Sequence, residues 1–214
     1  IGRRVYEKVV SYVRYQMTQL LALVFLFLAA TAFDINQGVA LTPLMVLYLL
    51  VFITASGVVV IAVDPGAPDV MHRPPRDPKQ PLLGSQLLGR ALMQGLAVLA
   101  GVAVLYFLVL EHGFAEERAR AMAFTAMVLG NALLILSNRS LTRSMLVTLT
   151  MPNRALWWVV AGALGGLALA LYLPPMQRVF RFEALHGHDL LLCLLAASAG
   201  VLWSELVKLL PRGR

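Results

Sequence analysis

Apolar residues fall in six long runs along the chain, at about 16–33, 42–63, 91–110, 121–137, 155–173 and 190–207, with charged residues gathered between them. Each run reaches or approaches the roughly 20 residues that a helix needs to cross the hydrocarbon core of a bilayer. Backbone polar groups in lipid must pair within their own segment, so runs of this length predict helices. The expected fold class is all-α: a polytopic membrane protein whose six-helix transmembrane bundle fills residues 16–210, followed by a tail at 211–214. Ahead of the first run, Val5, Val9 and Val13 recur at i+4 while Arg3, Arg4, Glu7 and Lys8 lie elsewhere. No glycine or proline between Gly2 and Gly38 stops a helix. Residues 1–15 then either continue the first span as a stalk, projecting about 22 Å at 1.5 Å per residue, or lie along the membrane surface as an amphipathic helix.

Charge gives the bundle an orientation. Fourteen Lys and Arg residues fall on one side of the six spans, in segment 1–15, loop 64–90, loop 138–154 and the tail. Only Arg118, Arg120, Arg178 and Arg181 fall on the other. The positive-inside rule makes the richer side cytoplasmic, and an even number of spans puts both termini there. The same rule accounts for the net charge of +7 without nucleic acid as a partner. Composition agrees: 59% of residues are hydrophobic, 14% are charged and the mean hydropathy is +0.77, against about a quarter charged in a soluble domain. The bilayer is the first partner implied, and the inner (plasma) membrane of a bacterium is the expected location. There is no cleavable signal peptide pattern. The chain opens on Ile1 rather than Met, and we expect it to be cut from something longer.

Within the spans the punctuation is sparse. Thr42 is placed to cap the second helix, with Pro43 in its first turn, and Thr54-Ala55-Ser56-Gly57 interrupts an otherwise aliphatic run. Small residues of this kind favour close helix contact or, less often, a broken helix at a transport site. Six of the eleven prolines lie between Asp64 and Pro81, which holds that loop extended. Gly162 and Gly166 have GxxxG spacing, Trp157 and Trp158 suit an interface, and Pro174-Pro175 ends the fifth span.

Catalytic chemistry is missing. No P-loop, dinucleotide fingerprint or GxSxG occurs. The lone Cys193 excludes an intramolecular disulfide and a cysteine metal site. His186, His188 and Asp189 resemble a metal cluster on paper, but three or four convergent ligands are needed, and the group reads as a solvated outer loop. His112 with Glu111, Glu116 and Glu117 reads the same way. No Asp, Glu, Lys or Arg lies in the middle of a span, so the usual mark of ion coupling is absent. A neutral polar set remains: Thr18, Gln19, Thr54, Ser56, Gln94 and Asn131. Helix–helix hydrogen bonding explains most such residues, and Gln19, Thr54, Ser56 and Asn131 are the candidate translocation-path residues.

Several stretches carry a resemblance. Gly2–Gln16 reads GRRVYEKVVSYVRYQ, and LTPLMVLYLLV is followed by Val63-Asp64-Pro65. After them comes Asp69-x-Met71-x-Arg73-Pro74-Pro75-Arg76-x-Pro78-x-x-Pro81-Leu82-Leu83. MAFTAMVLGNALLILSNRS (Met122–Ser140) and SELVKLL (Ser204–Leu210) complete the set. Together they resemble helices five to ten of a P-type cation-transporting ATPase of the calcium/sodium–potassium pump class, over essentially the whole chain. The resemblance implies a membrane domain that contributes helices to an ion or substrate path, with partners in the remaining helices and cytoplasmic domains of such a pump. ATP and magnesium would belong to those domains, because DKTGT, TGES and TGDGxND are absent here; no cofactor and no enzymatic activity are expected of this chain alone.

At the ion site the sequence departs from the family. Aligned from Arg14-Tyr15, Leu20 and Leu23 stand where the fifth helix has its Asn and Glu. Aligned from Pro43, Leu50, Ile53 and Thr54 stand at the Asn, Thr and Asp of the sixth-helix N-L-V-T-D-G-L-P, and Asn131 replaces the eighth-helix Glu. Hydrocarbon cannot replace the six or more oxygens that a divalent cation such as calcium takes. Two functions follow: transport of something that needs no buried carboxylate, or a non-transporting pseudo-pump that scaffolds or regulates through helix contacts.

Overall fold

The structure is a computed structural model that describes residues 2–32, 42–63, 85–138 and 153–209, and the regular elements among them are all helical. The proline-rich motif at 64–84, the basic loop at 139–152 and the tail lie outside the described residues.

With no breaker in its sequence, α1 (Gly2–Ala32) runs unbroken for 31 residues, about 46 Å at 1.5 Å per residue and longer than a bilayer core of about 30 Å. The second apolar run is one rod in three parts. It comprises α2 (Pro43–Tyr48), a π-helical turn (Leu49–Thr54) and α3 (Ala55–Val63). Thr42 caps α2 by accepting from the Met45 amide at 3.4 Å, with Pro43 in the first turn. The interruption expected at Thr54–Gly57 lies one turn earlier, where the Ala55 amide reaches back five residues to the Leu50 carbonyl.

The remaining helices are α4 (Ser85–Glu111), α5 (Glu116–Asn138), α6 (Arg154–Tyr172), α7 (Pro174–Phe180) and α8 (Gly187–Leu209). Asn153 caps α6, its Oδ1 accepting from the Leu156 amide at 3.1 Å. Pro174-Pro175 ends α6 and also opens α7, because a proline is tolerated where a first-turn amide has no partner. Arg181, in the left-handed region at φ 54°, then turns the chain back.

Among the described residues, α1, α4, α5 and α6 hold stretches long and apolar enough to cross a membrane. Helix α4 packs on α1, α5 and α8, and α5 packs on α8. Helix α6 is peripheral, with 28% of its apolar stretch buried against 67% for α5. Two apolar clusters stack along the bundle. One joins Met45, Tyr48, Leu49, Phe124, Phe180 and Phe182 near α7. The other joins Tyr15, Val60, Ile61, Val98, Leu134 and Val201 towards the opposite end. Between these layers lies a thin polar seam.

Candidate functional site

The seam is built where α1 meets the π turn. Three contacts fix the register of α1 against the second rod, and they run antiparallel. The Lys8 ammonium donates to the Ala62 carbonyl, and the Tyr15 ring lies over Gly57, where an added Cβ would sit 2.6 Å from Cε1. The third contact is polar: Gln19 Nε2 donates to Thr54 Oγ1 at 2.8 Å. Thr54 Oγ1 in turn donates to the Leu49 carbonyl at 3.3 Å, across the π turn. Gln19 is 3% exposed and its Oε1 is buried with no donor. An amide thus reaches from one helix to a hydroxyl on the other, leaving one carbonyl oxygen unsatisfied in an apolar wall.

Other polar residues lie near the same level. The α4 backbone presses on α1 at Gly95, whose added Cβ would lie 3.0 Å from the Thr18 carbonyl oxygen. Gln94, fully buried, is the preceding residue. Thr18 turns its hydroxyl to the Arg14 carbonyl at 2.9 Å, the i−4 bond open to a threonine within a helix. Asn131 is 5% exposed, midway along α5 between Val128 of one cluster and Leu134 of the other. The structure brings Gln19 and Thr54 into contact, and it shows no hydrogen bond from Asn131 to them. The side chains of Ser56 and Ile53 lie outside the described residues.

The apolar positions divide. Leu20 and Leu50 are 49% and 51% exposed on the outer faces of α1 and the π turn, whereas Leu23 packs against the cluster near α7. A face carrying Leu20, Val24, Leu47, Leu50 and Val51 is therefore open to lipid or to further helices.

The histidine group does different work from a solvated loop. Asp189 is 4% exposed at the mouth of α8. Both of its carboxylate oxygens accept from the single Arg118 Nη2, at 3.0 and 2.9 Å, and Oδ2 also accepts from the His186 amide at 2.9 Å. Burial pushes its carboxyl up, but the His186 amide and the Arg118 guanidinium outweigh it and hold the carboxyl below its usual range. Arg118 also stacks on the Phe114 ring at 4.3 Å. Asp189 thus ties α8 to α5, while His186 and His188 stay exposed. Among the described residues no three His, Cys, Asp or Glu side chains converge as metal ligands. Glu111, His112, Glu116 and Glu117 are exposed, and His112 Nδ1 lies 2.7 Å from the Leu108 carbonyl.

Sequence reasoning missed three further features. The Tyr48 hydroxyl donates to the Ala163 carbonyl and its ring fills the space above Gly166, so the GxxxG pair splits: Gly166 makes this contact and Gly162 meets nothing within 4 Å. Arg14 is 5% exposed, a buried arginine within the apolar stretch Lys8–Leu28. The π turn has no residue signature beyond its aliphatic run. Tyrosine in a membrane run was the available signal for the first.

The family described as "Cation transporting ATPase, C-terminus" matches residues 38–210. Calcium-transporting ATPase type 2C member 1 of Mus musculus is 27% identical over 213 residues, covering 100% of this chain and 23% of that protein. Calcium-transporting ATPase 1 of Schizosaccharomyces pombe is 27% identical over 207 residues, 97% of this chain and 23% of that protein. Calcium-transporting ATPase type 2C member 2 of Rattus norvegicus is 28% identical over 209 residues, 97% of this chain and 22% of that protein. The chain thus spans less than a quarter of the length of these relatives.

Proposed function

The chain belongs to the cation-transporting ATPases as their C-terminal membrane part, and from that premise we propose that it lines the translocation path of a pump whose carboxylate cation site has been replaced by neutral groups. The observation that carries this reading is the Gln19–Thr54 bond at the π turn. π turns favour functional sites, and this one lies where the resemblance puts the ion ligands of the sixth helix. Leu20, Leu23, Leu50 and Ile53 at the remaining ligand positions supply no oxygen. Relatives are named for calcium; we propose that this chain departs from them at the ion. Both termini are cytoplasmic, residues 1–15 of α1 form the stalk, and ATP and magnesium act on other domains of the parent protein, in this reading. The bilayer is assigned without a compartment, because relatives from mouse, rat and fission yeast lend no support to a bacterial inner membrane.

Two experiments test it. The coding sequence upstream of Ile1 is expected to hold intact DKTGT and TGDGxND motifs; broken or missing motifs defeat transport. Calcium titrated onto the purified chain is expected to give no saturable binding, and stoichiometric binding abolished by Thr54→Ala would restore the ordinary site. A pseudo-pump is the second reading, favoured by the way Gln19 and Thr54 spend hydrogen-bonding groups on each other. It expects Asn131→Leu to leave any cellular phenotype unchanged, and a lost phenotype returns the argument to transport.

A further inference from the structure

We propose that the cleft between α6 and α8 holds one acyl chain of a bilayer lipid, whose ester carbonyl accepts a hydrogen bond from Thr125. The cleft measures about 290 Å³, and α5 forms its floor at Thr125. Leu164, Ala168 and Tyr172 of α6 wall one side, and Leu190 and Leu194 of α8 wall the other. Leu164, Ala168, Tyr172 and Leu194 are exposed, so the cleft opens onto the lipid around the bundle. Among the described residues none that lines it is charged. The Tyr172 hydroxyl donates to the Leu185 carbonyl at 2.8 Å, which fixes the rim.

Thr125 supplies the polar contact. A threonine within a helix can turn its hydroxyl back to the carbonyl four residues earlier, and Thr18 and Thr31 do so on Arg14 and Phe27, at 2.9 Å each. Thr125 does not: the residue is fully buried, and its Oγ1 has no hydrogen-bond partner. A buried hydroxyl left unmade is costly, so the position favours an occupant that brings an acceptor. Threonine keeps two χ1 positions in a helix, so the hydroxyl can turn to the cleft without moving the backbone.

Depth and size select the lipid. Arg120, the last charged residue before Thr125 on α5, is paired with Glu116 at 2.7 Å and lies about 7.5 Å from Thr125 along the axis. The layer between the headgroup surface and the hydrocarbon core is about 5–7 Å thick. Thr125 therefore sits where acyl chains begin, at the level of their ester groups. From Tyr172 to Leu164 the α6 wall then runs about 12 Å. A helix, about 10–12 Å across with its side chains, would fill on the order of 1,000 Å³ over that length, against about 290 Å³ here. A single chain fits and a helix does not. A free carboxylate would be stranded among these walls, whereas an ester is neutral and still offers an acceptor.

The full chain in detergent micelles is heated with a phosphatidylcholine whose two chains are joined by esters, or with the diether of the same chains, which lacks the carbonyls. The diester is expected to raise the unfolding temperature saturably, at about three- to tenfold lower concentration than the diether, the value of one hydrogen bond in a membrane. Thr125→Val, nearly isosteric, should bring the diester to the level of the diether, and Thr125→Ser should keep its advantage. Ala168→Phe, which fills the cleft from its open wall, should also abolish that advantage and decides the matter if Thr125→Val does not fold. A diester advantage that survives either Thr125→Val or Ala168→Phe overturns the ester contact. No diester advantage in the unsubstituted chain overturns the proposal, and a dimeric mass in the same micelles then assigns the cleft to a second copy of this chain.

Discussion

Gly57 has no side chain because the Tyr15 ring occupies the place of one. An added methyl would lie 2.6–2.9 Å from two carbons of that ring and its hydroxyl oxygen, in a side chain that is fully buried and has nowhere to go. Gly57→Ala is therefore expected to destabilise the protein by about 1–3 kcal/mol, the cost of overpacking, read as a lowered unfolding temperature in detergent. Tyr15→Leu in the same chain should recover part of the loss, as neighbouring sites couple. The Gln19–Thr54 bond calls for a double-mutant cycle. Gln19→Leu and Thr54→Val should couple by about 0.6 kcal/mol, the average for a helix–helix hydrogen bond in membranes, and additive losses would show that the bond contributes nothing. The polar residues were legible in the sequence, but their pairing was not. Gln19 and Leu20 are adjacent in a run whose two faces are both apolar, so hydropathy cannot say which one turns inward.

Helix pairs show the same division at the next scale. Helices α4 and α8 meet at Gly101, where an added Cβ would lie 2.7 Å from the Ala196 carbonyl oxygen. Backbone cannot step aside as a side chain can, so Gly101→Val should part the two helices and lower the unfolding temperature more than Gly57→Ala does. Gly162→Val and Gly165→Val, which meet open space, should stay within about 0.5 kcal/mol. At the other end of α8, the Arg118–Asp189 pair gives a pH signature. Its carboxyl is held below the usual value, so the folded state binds fewer protons than the unfolded one. The stability it contributes is complete above the unfolded pKa of about 3.9 and is lost as pH falls through the lower folded value. Asp189→Asn should remove this acid limb from a plot of unfolding temperature against pH. Arg118→Ala at neutral pH should cost about 1–3 kcal/mol or more by stranding a buried carboxylate. A cap such as Thr42-Pro43 is local and could be read from its residues. An ion pair spanning 71 positions could not.

For the whole molecule, orientation is the property to test. Cys193 is fully buried and should resist labelling, so cysteines placed at Arg90 and Arg178, both exposed, can report sidedness in sealed vesicles. Arg178→Cys is expected to react from the outside and Arg90→Cys only from the cytoplasmic side; the reverse pattern overturns the charge-based topology. By itself the sequence determined the helical membrane class, because lipid forbids unpaired backbone and forces each crossing into one long apolar run. It also determined the family, through motifs spread over the whole chain. Only the tertiary structure decided that Gln19 faces Thr54 while Leu20 faces outward, that the second rod loosens at Leu49–Thr54, and that Asp189 is a buried clasp. The physical reason is common to all three. A bilayer rewards every apolar face alike, so the choice of which faces meet falls to close packing and to a few polar pairs, and these exist only once the helices have come together.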